Sequence, residues 1–278
     1  MTLRSGAPSD PVACHAPALP RRLSAAYRRT AAQARAAVTA VSLALVSAAT
    51  AQAECRQALV LALDVSGSVD SREYRMQLDG LAAALDHAEV RQALLAMPQA
   101  PVDLAIFEWS APEYQRHLLP WTSVSSGPVL DGIIARLRGT ARAAAPPGTA
   151  LGTAVRTGAA LLADHPGCWI RTLDVSGDGK HNMGPHPETL KPGLQAAGIT
   201  VNALVIGVDD PRQGDPRADD VAGLGAYFGA YVISGPGAFV ETALGFDDYE
   251  AAMVRKLLRE LEGLSIAHVM PGHSGTGE

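Results

Sequence analysis

The sequence predicts an α/β protein built on a mostly parallel sheet with helices on both faces. Two observations carry this. From about residue 56 onward, apolar stretches rich in β-branched residues alternate with stretches of helical periodicity. The apolar stretches are nearly continuous, as strands covered on both sides require.

The first strand is expected at 57–64 (QALVLALD). A helix follows, with Tyr74, Leu78, Leu81 and Leu85 on one face behind a cap at Asp70 or Ser71. Strands are expected next at 102–109 (VDLAIFEW) and 117–122 (HLLPWT). Pro120 cannot donate to a ladder, so the latter is an edge strand or hairpin arm. The Ala-rich stretch from Gly139 to Gly148 reads as a loop into a second helix, with Leu151, Val155 and Leu162 on its inner face. Further strands are expected at 168–176 (CWIRTLDVS), 199–207 (ITVNALVIG) and 230–234 (AYVIS). Tyr249, Met253, Leu257 and Leu261 recur every four residues and mark the final helix; from His268 the tail reads as frayed.

With 47% hydrophobic residues, the 278-residue chain can bury a large core, and no repeat or linker divides its main part. The first 53 residues differ. Five arginines between Arg21 and Arg35 precede a 15-residue apolar run, AVTAVSLALVSAATA, and Ala51-Gln52-Ala53 fits a small-x-small cleavage site. That run is shorter than the roughly 20 residues that span a bilayer, so it reads as a cleaved secretory signal rather than an anchor. The expected organisation is a leader over 1–53, one domain over 54–265 and a tail over 266–278, with the product periplasmic or extracellular. The leader carries six of the 23 basic residues and one of the 28 acidic ones, which leaves 17 basic and 27 acidic residues and a net charge near −10. Such a surface repels nucleic acid and anionic lipid and suits cations or basic partners.

Functional residues of an open parallel sheet collect beyond the carboxyl ends of its strands. Asp64 ends the first strand, and Ser66 and Ser68 follow at a spacing that can turn both hydroxyls to one point. Gly148-Thr149-Ala150 opens a helix, and Asp174-Val175-Ser176-Gly177-Asp178-Gly179 closes the fourth long strand. These segments offer carboxylate and hydroxyl oxygens without thiolate or imidazole, a donor set for Mg²⁺ or Mn²⁺, with Ca²⁺ the poorer fit and Zn²⁺ disfavoured. The plain alternative is a set of turn and capping residues, with Thr149 capping its helix.

Asp64-Val65-Ser66-Gly67-Ser68, Gly148-Thr149 and Gly177-Asp178-Gly179 together resemble the metal-ion-dependent adhesion site of von Willebrand factor type A domains. The resemblance covers about residues 56–262. The Glu108-Trp109-Ser110 strand end and the Ser176-to-Gly179 segment further resemble a secreted bacterial branch, domain of unknown function 1194. It implies a doubly wound, Rossmann-like sheet of six strands in the order 3-2-1-4-5-6, the third antiparallel at the edge. It also implies Ser66, Ser68 and Thr149 as direct metal ligands, with Asp64 and Asp178 acting mainly through water. Asp174 competes for the last role but lies deeper in its strand. The family commonly captures a partner's carboxylate at an open metal position. Its strand order also places Cys55 and Cys168 together at the opposite end of the sheet, where export favours a disulfide. Cys14 goes with the leader.

His181 and Asn182 are expected to rim the site, His181 as a solvated loop residue or as a ligand or base. Asp209, Asp210, Asp215, Asp219 and Asp220 form an acidic loop, solvated or part of a partner surface, and Trp109 reads as core. Neither Gly-x-Ser-x-Gly nor a phosphate loop with Lys occurs. Two functions compete: an exported, non-enzymatic module that binds a protein partner's acidic group through its metal, or a metal-dependent hydrolase of anionic substrates in which Asp178 or His181 activates water.

Overall fold

The computed structural model describes residues 55–207 and 217–267. The leader, Asp209, Asp210, Asp215, the side chains of Asp219 and Asp220, and the tail from His268 lie outside the described residues.

Six strands form one sheet: β1 (Gln57–Asp64), β2 (Val102–Trp109), β3 (Gln115–Val124), β4 (Ile170–Gly177), β5 (Thr200–Ile206) and β6 (Val240–Ala243). Their order is β3-β2-β1-β4-β5-β6, and only β3 runs antiparallel to its neighbour. Seven helices are described: α1 (Ser71–Asp86), α2 (Ala88–Leu95), α3 (Gly127–Gly139), α4 (Leu151–Ala163), α5 (Lys191–Ala196), α6 (Arg217–Tyr231) and α7 (Tyr249–Ala267). None of the described helices is long and apolar enough to cross a membrane.

Strand periodicity divides the core in two. Leu59, Leu61 and Leu63 of β1 point to the face covered by Leu78 and Leu81 of α1 and by Tyr249, Met253 and Leu257 of α7. Ala58, Val60 and Ala62 point to the other face, under Leu151 and Val155 of α4, Leu194 of α5 and Phe228 of α6. Every residue of β1 is therefore buried, which explains its unbroken apolar run. The N-terminus of α1 is fixed by a capping box: the Asp70 carboxylate accepts from the Arg72 and Glu73 amides, and Glu73 accepts from the Asp70 amide.

The last strand departs from expectation. The stretch 230–234 is not β6; it holds the end of α6 and a single antiparallel bridge from Ser234 to Val201. Val232 is buried and Ile233 partly so against the same core, while Ala230 and Tyr231 are exposed, so the apolar run marks a helix end reaching into the core and not an extended strand. Gly235 and Gly237, both at positive φ, turn the chain into β6, four residues reading VETA.

One buried group has no apolar logic. Lys256 of α7 is fully buried, its Nζ 2.7 Å from Asp174 on β4 and 2.7 Å from Glu260 one turn on. The Asn202 amide donates to the same Glu260 oxygen and accepts from the Phe239 backbone amide, so the cluster ties α7 to β5 as well. Burial would lower the Lys256 ammonium's affinity for its proton, but the two carboxylates outweigh it and raise its pKa. Burial pushes Asp174 up to about 7, with Lys256 opposing. Lys256→Met leaves two desolvated carboxylates without their cation, and the domain should lose about 3–5 kcal/mol in urea unfolding at pH 7. Because the Asp174 pKa is raised on folding, the folded state holds that proton more tightly, and the loss should be smaller at pH 5.

Candidate metal centre

The parallel strands β1 and β4, with β2 beside them, end on the same side, and three loops meet there. Asp64 ends β1 fully buried; its Oδ1 accepts the Ser66 amide at 2.8 Å, and Gln77 of α1 donates to its carbonyl oxygen. The Ser66 and Ser68 hydroxyls lie 3.3 Å apart, and Ser68 donates to Asp178 Oδ1 at 2.7 Å. The Gly67 amide donates to the Pro147 carbonyl, which brings the loop that carries Thr149 against the serine loop. A Cβ on Gly67 would stand 2.7 Å from that of Pro147, so close an approach requires glycine.

Thr149 is held from the β4 side. Its amide donates to the Asn182 side chain at 2.9 Å, the Asn182 amide donates to its carbonyl, and Asn182 Nδ2 lies 3.4 Å from its hydroxyl. That hydroxyl is also 3.8 Å from where a Cβ of Gly179, the residue after Asp178, would stand. Gly152 lies under the same loop, so that a Cβ there would collide with the Pro185 carbonyl. Thr149 does not cap α4. The N-cap position is Ala150, which makes no side-chain cap bond.

The five expected site residues, Asp64, Ser66, Ser68, Thr149 and Asp178, therefore belong to loops that touch one another. Asp174 does not join them: it pairs in register with Leu61, inside the sheet, and serves Lys256. Trp109 is core, as expected. The Asn182 clamp had only a rim position as its signal. The role of Glu108 had none, since its partners are remote in sequence. Its buried carboxylate accepts from Tyr74 at 2.8 Å, Tyr114 at 2.6 Å and Arg116 at 3.1 Å, fastening the end of β2 to α1 and β3 beside the serine loop.

The family profile described as Protein of unknown function (DUF1194) matches residues 54–265. The chain belongs to the DUF1194 family. No curated protein matches it. Among solved structures, this DUF1194 chain is similar to the mussel byssus proximal thread matrix protein 1 with a zinc-occupied MIDAS motif (17% identity, TM-score 0.51, 75% of this chain and 48% of that one). It is also similar to the pilus adhesin SpaC of Lactobacillus rhamnosus GG in its open conformation (16% identity, TM-score 0.53, 77% and 31%). A von Willebrand factor type A protein of Catenulispora acidiphila matches at 15% identity with a TM-score of 0.48, over 76% of this chain and 43% of that one. The DUF1194 chain thus spans less than half the length of these structures. With the order β3-β2-β1-β4-β5-β6, it has the von Willebrand factor type A fold.

Charge is concentrated at this point of the DUF1194 domain. Asp64 Oδ2 and Asp178 Oδ2 are buried without a hydrogen-bond partner. Burial pushes the Asp64 pKa well up, and the Asp178 charge pushes it further, against the bonds from Ser66. Asp178 is raised as well, first by burial, with the Ser68 bond opposing. Two desolvated carboxylates with idle oxygens beside two hydroxyls fit a hard divalent cation. His181, partly buried with Nδ1 unpartnered, stands edge-on to His186 at 5.3 Å, and its pKa is lowered by burial and then by His186.

For the metal-free protein the sign is definite. A carboxyl whose pKa is raised by folding stabilises the fold at low pH, and that contribution is lost as pH rises from about 4 through the folded pKa. In EDTA at pH 7, Asp64→Asn should therefore raise the melting temperature by a few degrees, with ~1 kcal/mol worth about 2–4 °C at this size. The gain should vanish near pH 4.

Proposed function

We propose that this chain is an exported, non-enzymatic binding module that holds Mg²⁺ or Mn²⁺ between Asp64, Ser66, Ser68, Thr149 and Asp178 and uses it to capture an acidic group on a protein partner. The observation that carries this reading is the pair of idle, buried carboxylate oxygens on Asp64 and Asp178 next to the Ser66 and Ser68 hydroxyls. A bound divalent cation supplies the positive charge that both the buried aspartates and an incoming carboxylate require. The chain's own residues do the positioning: Asn182 fixes Thr149, Gln77 fixes the end of β1, and the Glu108 clasp braces the helix behind the serines.

Overall charge supports a partner held through the ion. A mature surface near −10 disfavours an acidic partner everywhere except where a cation offsets it. The similar structures include a pilus adhesin and a protein with a metal in its MIDAS motif, which agrees with a binding role. Hydrolysis has less support. Asp178 Oδ1 accepts the Ser68 hydroxyl, its idle Oδ2 faces the proposed ion, and the His181 ring stands edge-on to His186.

Millimolar Mg²⁺ or Mn²⁺ should raise the melting temperature of the purified domain, and Asp64→Ala and Thr149→Ala should remove or sharply reduce that shift. An unchanged shift in Asp64→Ala would remove the site. Capture of envelope proteins by the immobilised domain should be lost in EDTA and restored by Mn²⁺. Mn²⁺-dependent phosphatase or esterase turnover that disappears in Asp64→Ala would replace binding with hydrolysis.

A further inference from the structure

At the other end of the sheet, where β1, β2 and β4 begin, four side chains of metal-ligating type meet. Cys55 and Cys168 are joined as a disulfide. Their sulfurs and a carboxylate oxygen of Asp103 all lie within 4.8 Å of one another. The His165 Nδ1 atom is 3.4 Å from Asp103 Oδ2 and 4.0 Å from Cys168 Sγ.

Separate elements hold each of these groups in place. Cys55 precedes β1, and its carbonyl accepts the Trp169 amide, so the start of β1 is laced to the start of β4 even without the S–S bond. Asp103 is the second residue of β2, and its Oδ1 accepts from Ser123 of β3, which leaves Oδ2 towards His165. His165 follows α4, and the Trp121 ring lies against it with centroids 4.0 Å apart. The corner is screened but not sealed, the Asp103 and His165 side chains being 14% and 23% exposed. A disulfide alone needs neither a carboxylate nor an imidazole at its side.

We propose that this corner is a second metal site, of opposite chemistry to the oxygen cluster: once the disulfide is reduced, Cys55, Cys168, Asp103 and His165 bind Zn²⁺. Two thiolates, an imidazole and one carboxylate are the donor set that zinc takes in tetrahedral sites. An ion with bonds of about 2.0–2.3 Å holds its ligand atoms roughly 3.3–3.8 Å apart. The present His165–Asp103 and His165–Cys168 separations of 3.4 and 4.0 Å are close to these values, and the parting of the sulfurs must bring Cys55 within the same range of His165. The electrons come from a dithiol reductant. One of its thiolates attacks a sulfur of the Cys55–Cys168 bond, its second thiol resolves the mixed disulfide, and the products are the oxidised reductant and two protein thiols. Zn²⁺ then displaces both thiol protons to solvent. Covalent bond and ion are alternative ties for the same two strand ends.

The proposal does not depend on the oxygen cluster, and its test does not read it. The full chain, reduced and freed of metal, is titrated with Co²⁺ and followed by thiolate-to-cobalt absorption, which an all-oxygen site cannot produce. The expected result is a saturable band at one Co²⁺ per chain, displaced by Zn²⁺, absent from the oxidised protein and lost in Cys168→Ser. Asp103→Asn and His165→Gln should each weaken Co²⁺ binding more than ~10-fold, since even outer-shell substitutions cost that much. These two variants keep both cysteines, and the melting of their oxidised forms verifies that they fold. Absence of the band in the reduced wild type, or unaltered affinity in both Asp103→Asn and His165→Gln, overturns the proposal.

Discussion

The structure is organised around a carboxylate taken out of water at the end of its central strand. Asp64 sits in the middle of the sheet, flanked by β2 and β4, and its whole strand is buried. Only one of its carboxylate oxygens has a hydrogen-bond donor. A group in that state destabilises the fold unless it is protonated or faces a cation, and Asp178, also buried, adds a second negative charge beside it. The rest of this end of the molecule is arranged to make that burial possible. Glycines let backbones approach where side chains would collide, Asn182 straps one loop to another, and Glu108 gathers two tyrosines and an arginine behind them.

How much of this could be read from the chain follows from the range of each interaction. Strand β1 was legible because a strand buried on both faces must be apolar throughout, and β3 because Pro120 restricts where its strand can lie. The serine spacing after Asp64 is a local signal, and so is the Asp70 cap. Strand β6 was not legible. VETA is short and half polar, whereas AYVIS advertises burial and not extension, since an apolar run is shared by strand interiors and helix ends.

Long-range polar pairings left no trace. Lys256 occurs in a helix of alternating charges and leucines and reads as one more solvated residue; only the fold shows that it turns inward to Asp174, 82 positions earlier in the numbering. The Glu108 clasp is similarly silent, because a tyrosine on α1 and an arginine on β3 carry no mark of a shared acceptor. The cysteine pairing stands between these cases. Cys55 and Cys168 stand nine and ten residues before Asp64 and Asp178, which suggested it only through an assumed strand order, and the sheet then supplied that order.

Both margins of the sheet are poor templates for a further chain. On one side, β3 carries Pro120, and its pairing with β2 shifts register near the middle. On the other, β6 offers only four residues. An open sheet with long, regular rims would invite neighbouring copies to add strands and polymerise. With its rims blunted in this way, the domain can be concentrated without its sheet growing from copy to copy.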